Sequence, residues 1–342
     1  MQRRRIAFTV CFGLTLLFTS SAAVAQYQLT NLVSNVKGDA RHTDPLLINA
    51  WGLVYGPGGP FWISDEGSGW STLYTGSGKA ESLQVVVPSV TPSVPGSPTG
   101  IVFNGSQEFN VEGWPAIFLF ATMDGTISGW APQSNPTEAI IAVDNSASNA
   151  SYTGLAITSK PSGNFIYAAD INNNKIDMYD GNFNLVTSFT DPNVPAGTSV
   201  FNVQDIDGLL YVAFAPVDES PTGSVDIFRE DGTLIKTLTT GKPLAQPWGF
   251  AVAPKNFGPL SNALLVSNNT NGGTINAFNL VTGQFVGTLK DTSGTQIRIN
   301  QLWGIEFGGG TPNNGDKNHL FFTAGPKNNL DGTFGKIVFQ KD

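Results

Sequence analysis

A short unit recurs six times along the chain, and its spacing limits the folds open to it. An aromatic residue or threonine is followed by glycine and then by apolar residues. The copies are Ala50-Trp51-Gly52-Leu53-Val54, Pro98-Thr99-Gly100-Ile101-Val102, Tyr152-Thr153-Gly154-Leu155-Ala156, Pro247-Trp248-Gly249-Phe250-Ala251 and Leu302-Trp303-Gly304-Ile305-Glu306. A degenerate copy, Phe201-Asn202-Val203-Gln204, fills the remaining gap. Positions 51, 99, 153, 202, 248 and 303 lie 46 to 55 residues apart, the size of one four-stranded sheet in a radial array.

Each unit continues alike. A strongly apolar stretch follows, such as Phe61-Trp62-Ile63-Ser64 or Leu264-Leu265-Val266-Ser267, then a Gly- or Asn-rich turn. A third stretch alternates with period two, as in Lys175-Ile176-Asp177-Met178-Tyr179 and Ser224-Val225-Asp226-Ile227-Phe228, and a weaker fourth closes the unit. Nowhere does an apolar period of 3.6 persist for three turns. Only 13% of residues are charged, against about 25% in an ordinary domain, and 39 Gly with 21 Pro supply many turns. The expected fold is therefore all-β, a six-bladed propeller of four-stranded blades. The last unit ends at Lys336-Ile337-Val338-Phe339 without a fourth strand, and Tyr27 to Val33 offers the spare one that would close the ring and hide both open edges.

Residues 1–25 read as a signal peptide: Arg3-Arg4-Arg5, an apolar run from Ile6 to Phe18, and Ala23-Val24-Ala25 before the cleavage point. The run is short for a membrane span. The expected product is one propeller domain over 26–342, exported to the periplasm or beyond, with no span after cleavage. Cleavage removes three arginines and the lone Cys11, so the net charge sharpens from −8 to −11 and no disulfide or thiolate site is left. That acidity argues against nucleic acid as a partner.

The run Phe165-Ile166-Tyr167-Ala168-Ala169-Asp170-Ile171-Asn172-Asn173-Asn174-Lys175-Ile176-Asp177-Met178-Tyr179 resembles a blade of the NHL-repeat propellers. The chain is also similar to an uncharacterised exported bacterial family from organisms with PEP-CTERM sorting systems. Asn31-Leu32-Val33-Ser34, Asp44-Pro45-Leu46-Leu47-Ile48-Asn49-Ala50-Trp51-Gly52-Leu53, Asp124-Gly125-Thr126-Ile127-Ser128-Gly129-Trp130, Ile275-Asn276-Ala277-Phe278 and Phe322-Thr323-Ala324-Gly325 carry that resemblance, with Asn202-Val203-Gln204 and the tryptophan units. It implies an exported propeller and no assigned activity. The chain ends Phe339-Gln340-Lys341-Asp342, without the sorting signal itself.

In such a ring, the start of each inner strand and the turn after each second strand share one face. That face collects Asn49, Asp65, Glu66, Asp124, Asp170, Asn172, Asn202, Gln204, Asn268 and Gln301 as candidate ligand residues. Asp65, Asp124, Asp170 and Asn268 are the candidate metal set, since carboxylates and amides suit a hard cation such as Ca2+, and sugar-lactonase propellers use a similar arrangement. The bland alternative is that Asp and Asn at strand ends cap tight turns. Trp51, Trp248 and Trp303 are expected to pack between neighbouring blades, the alternative being a stacking platform. Trp70 and Trp114 stand in or beside loops as the candidates for exposed contact. Asp65 and Asp124 also invite comparison with the paired carboxylates of glycan-cleaving enzymes. His42 and His319 are the only histidines, too few for a zinc set and poorly placed for a Ser-His-Asp site. The four-proline loop Val87–Pro98 is expected to be a stiff extended crossing or a contact surface. The leading functional reading is a binding module, a monomer engaging a protein, glycan or small molecule, with no cofactor required. The alternative is a Ca2+-dependent lactonase or hydrolase.

Overall fold

The computed structural model describes residues 26–160, 163–216 and 222–340. The expected signal segment 1–25, with Cys11, and the loop Asp218–Pro221 lie outside the described residues. Six sheets form a ring, five of them simple antiparallel meanders. Blade 1 comprises Ala50–Tyr55, Phe61–Asp65, Trp70–Tyr74 and Ala80–Val86. Blade 2 comprises Pro98–Phe103, Phe118–Thr122, Thr126–Trp130 and Ile140–Asp144. Blade 3 runs through Tyr152–Lys160, Gly163–Asp170, Lys175–Asp180 and Leu185–Phe189. Blade 4 follows with Thr198–Ile206, Leu209–Pro216, Ser224–Phe228 and Leu234–Thr240. Blade 5 is Pro247–Val252, Leu264–Asn268, Ile275–Phe278 and Phe285–Thr288.

Blade 6 takes three strands from the end of the chain and one from its beginning. Leu302–Phe307, His319–Ala324 and Thr333–Gln340 are completed by Gln26–Ser34, antiparallel to Thr333–Gln340 with a bulge between Asn31 and Val33. His42–Thr43 then adds in parallel at Val33 and Ser34. The ring is closed as the unpaired last unit predicts.

The second strands are buried along their length because both faces of each blade are covered. Six apolar clusters lie at the six junctions: Trp62, Leu73 and Val85 meet Ile101, Phe118 and Phe120 between blades 1 and 2, and Phe61, Ile63 and Tyr74 meet Phe321 and Phe334 between blades 6 and 1. Fully burying one such side chain contributes about 1.5–3 kcal/mol. The fourth strands face outward, and Leu185, Val186, Ile235, Phe285 and Val286 are exposed on them. The four-proline loop is not an extended crossing. It returns on itself, with Pro88 bridged to Pro95 and the Gly96 N–H donating to the Val87 carbonyl at 2.7 Å.

The repeated glycine has a specific task. A Cβ at Gly52 would strike the Thr99 carbonyl, one at Gly100 the Leu155 N–H, and one at Gly249 would sit 2.7 Å from the Trp303 carbonyl oxygen. Inner strands of successive blades therefore touch backbone to backbone at this level.

Candidate functional site

The contact between inner strands is tied by hydrogen bonds from small side chains to the next blade's backbone. Thr99 donates to the Tyr152 carbonyl at 2.6 Å, Thr153 to Phe201 at 2.8 Å, Asn202 to Trp248 at 2.8 Å and Ser267 to Trp303 at 2.6 Å. Thr323 closes the series onto the Trp51 carbonyl. Ser64 holds the corresponding place in blade 1, yet its buried Oγ has no partner.

Above these contacts the axis is filled. Trp51 and Trp303 stack with centroids 3.5 Å apart and planes 17° from parallel. Trp248 stands edge-on to both at 6.4 and 6.0 Å, and Phe201 packs on Trp303 at 5.7 Å. The indoles come from the neighbouring blades 5, 6 and 1 and pack on one another at the axis, in a cluster separate from those at the blade junctions. Trp248 Nε1 donates to the Thr153 carbonyl and Trp303 Nε1 to Asn49 Oδ1, both at 2.9 Å. Trp51 Nε1 is buried without an acceptor among the described residues.

Below the indoles, toward the far ends of the inner strands, lies a cavity of about 230 Å3. Trp248, Asn202 and the repeat glycines line its base; Leu53, Ile101, Leu155, Val203 and Ile305 are among its walls. Gln204, Asp205 and Glu306 supply polar side chains farther along their strands, among Val54, Phe103 and Ile157. Burial pushes the Glu306 carboxyl up to about 8. The Tyr55 hydroxyl is raised to about 12 by burial, with the Glu306 charge adding to it. Glu306 was not singled out by sequence reasoning; its only signal is an acid in the apolar alternation of an inner strand, where the other copies carry Val54, Val102, Ala156, Gln204 and Ala251.

The structure brings two of the expected ligand residues, Asn202 and Gln204, to this cavity. Others are engaged nearer the indole end. Asn49, buried with a left-handed backbone (φ 47°), donates to Glu66 Oε2 at 2.7 Å. Gln301, also at φ 47°, precedes the equivalent strand of blade 6. Asp170 accepts from the Ser151 and Asn173 N–H groups and from Asn173 Nδ2, and Asn172 donates to the Asn149 carbonyl. Asp124 accepts from the Ser97 N–H at 2.9 Å. Asn268 accepts from the Ala245 N–H and donates to the Pro243 carbonyl. Asp65 is fully buried, accepts from the Thr72 hydroxyl at 2.7 Å, and is held well above the usual carboxylate range by that burial. Among the described residues, no three His, Cys, Asp or Glu side chains come together as a metal-binding group. Of the loop tryptophans, Trp114 is 49% exposed and Trp70 is partly buried.

Fold and site together define a class: a six-bladed propeller whose axis is filled by indoles at one end and hollow toward the other. The chain belongs to the family of uncharacterized protein R648 of Acanthamoeba polyphaga mimivirus, with 30% identity covering 94% of this chain and 82% of that protein. Uncharacterized protein L690 of the same virus is 27% identical, over 94% of this chain and 88% of its own. These relatives are viral, whereas the resemblance in sequence pointed to bacterial proteins. No protein-family model matches the chain. Among solved structures, streptogramin B lyase superposes with a TM-score of 0.57 at 12% identity, covering 94% of this chain and all of that one. Virginiamycin B lyase from Staphylococcus aureus gives 0.55 at 13%, covering 92% and 99%. The likeness at that identity is one of fold.

Proposed function

We propose that the chain is a binding propeller whose site is the axial cavity and whose ligand is a small cationic molecule with an apolar body. With residues 1–25 read as an export signal, it acts outside the cytoplasm. The observation that carries the reading is Glu306: a carboxyl group in an apolar-walled cavity, to which no described residue donates a hydrogen bond or brings a salt-bridging cation. Its ionised form is disfavoured for want of a donor and a counter-charge, and a cationic partner supplies both. Gln204, Asn202 and Asp205 add acceptors, and the aliphatic walls suit an apolar body. The hydrolase reading is less favoured, because Asp65, Asp124, Asp170 and Asn268 are each engaged close to home.

Trp248 lines the cavity, so indole fluorescence reports its occupancy. Benzylamine titrated against the protein should change that emission and raise the melting temperature, while benzyl alcohol should do neither at the same concentration. Glu306→Gln should weaken the amine at least tenfold. Equal binding of amine and alcohol, or an amine response unchanged in the variant, would remove the basis for the proposal. The mature amino terminus, expected at Gln26, checks the export.

A further inference from the structure

Blades 3 and 4 carry an aspartate at the same register of their third strands, Asp177 opposite Ala168 and Asp226 opposite Val212. Both are buried, at 1% and 0% exposure. In blade 3 the charge is answered from the chain itself. Lys175 Nζ reaches the two carboxylate oxygens at 2.7 and 3.0 Å, Ser188 donates at 2.5 Å and the Tyr152 hydroxyl at 3.0 Å. Lys175 can do so because residues two apart on a strand share a face.

In blade 4 the same places are filled differently. Ser224 stands where Lys175 stood, Val200 where Tyr152 stood, and Thr237 lies opposite Asp226 as Ser188 lies opposite Asp177. Neither oxygen of Asp226 closes a hydrogen bond of good geometry, and neither does Ser224 Oγ, although all three atoms are sealed from solvent. The groups that face Asp226 are the Thr237 hydroxyl and a second carboxyl, that of Asp191. Asp191 comes from the connection between the blades, is 2% exposed, and accepts from the Asn193 N–H at 2.7 Å. Two carboxylates and two hydroxyls therefore share a dry pocket in which blade 3 has an ammonium and blade 4 has none.

We propose that a calcium ion binds between blades 3 and 4, ligated by the carboxylates of Asp226 and Asp191 with the hydroxyls of Ser224 and Thr237, in the place Lys175 fills one blade earlier. Buried charges persist when they are paired or coordinate a metal, and an all-oxygen donor set suits a hard cation. Two carboxylates select a divalent ion by charge. The site is distant in sequence from the set expected at Asp65, Asp124, Asp170 and Asn268, and it does not depend on the axial cavity.

The test is a calcium chloride titration of the chelator-treated full protein at pH 8.5, where protons compete least. Calorimetry should count one ion per chain. The melting temperature should rise by about 4 °C once calcium exceeds its dissociation constant a hundredfold. Asp226→Asn should abolish the rise. Ser224→Lys should give a calcium-insensitive protein that melts above the chelated parent, because it restores the blade 3 arrangement; it also keeps the test decisive if Asp226→Asn folds poorly. Absence of a calcium response in the parent overturns the proposal, as does a response that survives undiminished in either variant.

Discussion

Asn202 occupies the position that is glycine in the other five blades, and its amide does what a glycine cannot: it reaches the Trp248 carbonyl of the next blade. Its bulk in turn requires Gly154, since a Cβ there would lie 2.8 Å from the Asn202 Cα. The small polar side chains at this level are not equivalent, and a pair of substitutions separates them. Ser267→Ala strands two buried backbone groups, the Trp303 carbonyl and the Gly249 N–H that donates to Ser267 Oγ at 2.8 Å. It should cost about 2–4 kcal/mol in urea denaturation. Ser64→Ala removes an oxygen that has no partner and should change stability by less than about 0.5 kcal/mol. The glycine repeat was legible in sequence because close backbone approach tolerates little else. The inequality of Ser64 and Ser267 was not, since both are serines in the same apolar run and only the neighbouring carbonyl distinguishes them.

At the scale of the strand, the second strands declared themselves as unbroken apolar runs because neighbouring blades cover both of their faces. The pairing of Gln26–Ser34 with Thr333–Gln340 was also legible, from a unit short by one strand. That strand is anchored through Tyr27, which lies in the core between blades 5 and 6, packs on Phe257 and Phe339, and donates to the Phe257 carbonyl at 2.7 Å. Deleting residues 26–34 should leave Thr333–Gln340 as an open edge with an uncovered apolar face, which templates association. The truncated chain is expected to run as oligomers in size-exclusion chromatography, and an unchanged elution volume would contradict the assigned role. Asp226 was hidden at this scale, because the period-two pattern of its strand is the same as that of Asp177. The lysine two residues before Asp177 and the serine two before Asp226 can be read off the chain, but only the fold shows that Asp191 and Thr237 face Asp226.

For the whole molecule, the ring and its blade count follow from the spacing of the repeats, but which end of the axis is hollow does not. The polar positions at the inner-strand starts are regular and drew attention. Gln204 was among the residues expected at the ligand face, whereas Asp205 and Glu306 carried no such signal, and the three are brought together only by closure of the ring. Glu306 then gives the protein a pH dependence with a defined sign. Its folded-state value of about 8 lies above the ordinary 4.5, so its contribution is fully present below 4.5 and is lost as pH rises through 8. Relative to Glu306→Gln, the parent should lose about 2 °C of melting temperature between pH 6 and 9, roughly half of what a wholly dry carboxyl would give. Thermal scans of both proteins across that range check it. The closed ring also bears on the order of events during folding. Gln28 and Gln340 are hydrogen-bonded across 312 residues of chain, so the first strand of the described fold waits for the last. Five blades can form in the order they are made, but the sixth is a contact of maximal sequence separation and carries the slowest loop closure. Until it forms, the nascent protein is an open arc with two unpaired borders, and a chaperone that shields those borders has most to protect in that interval.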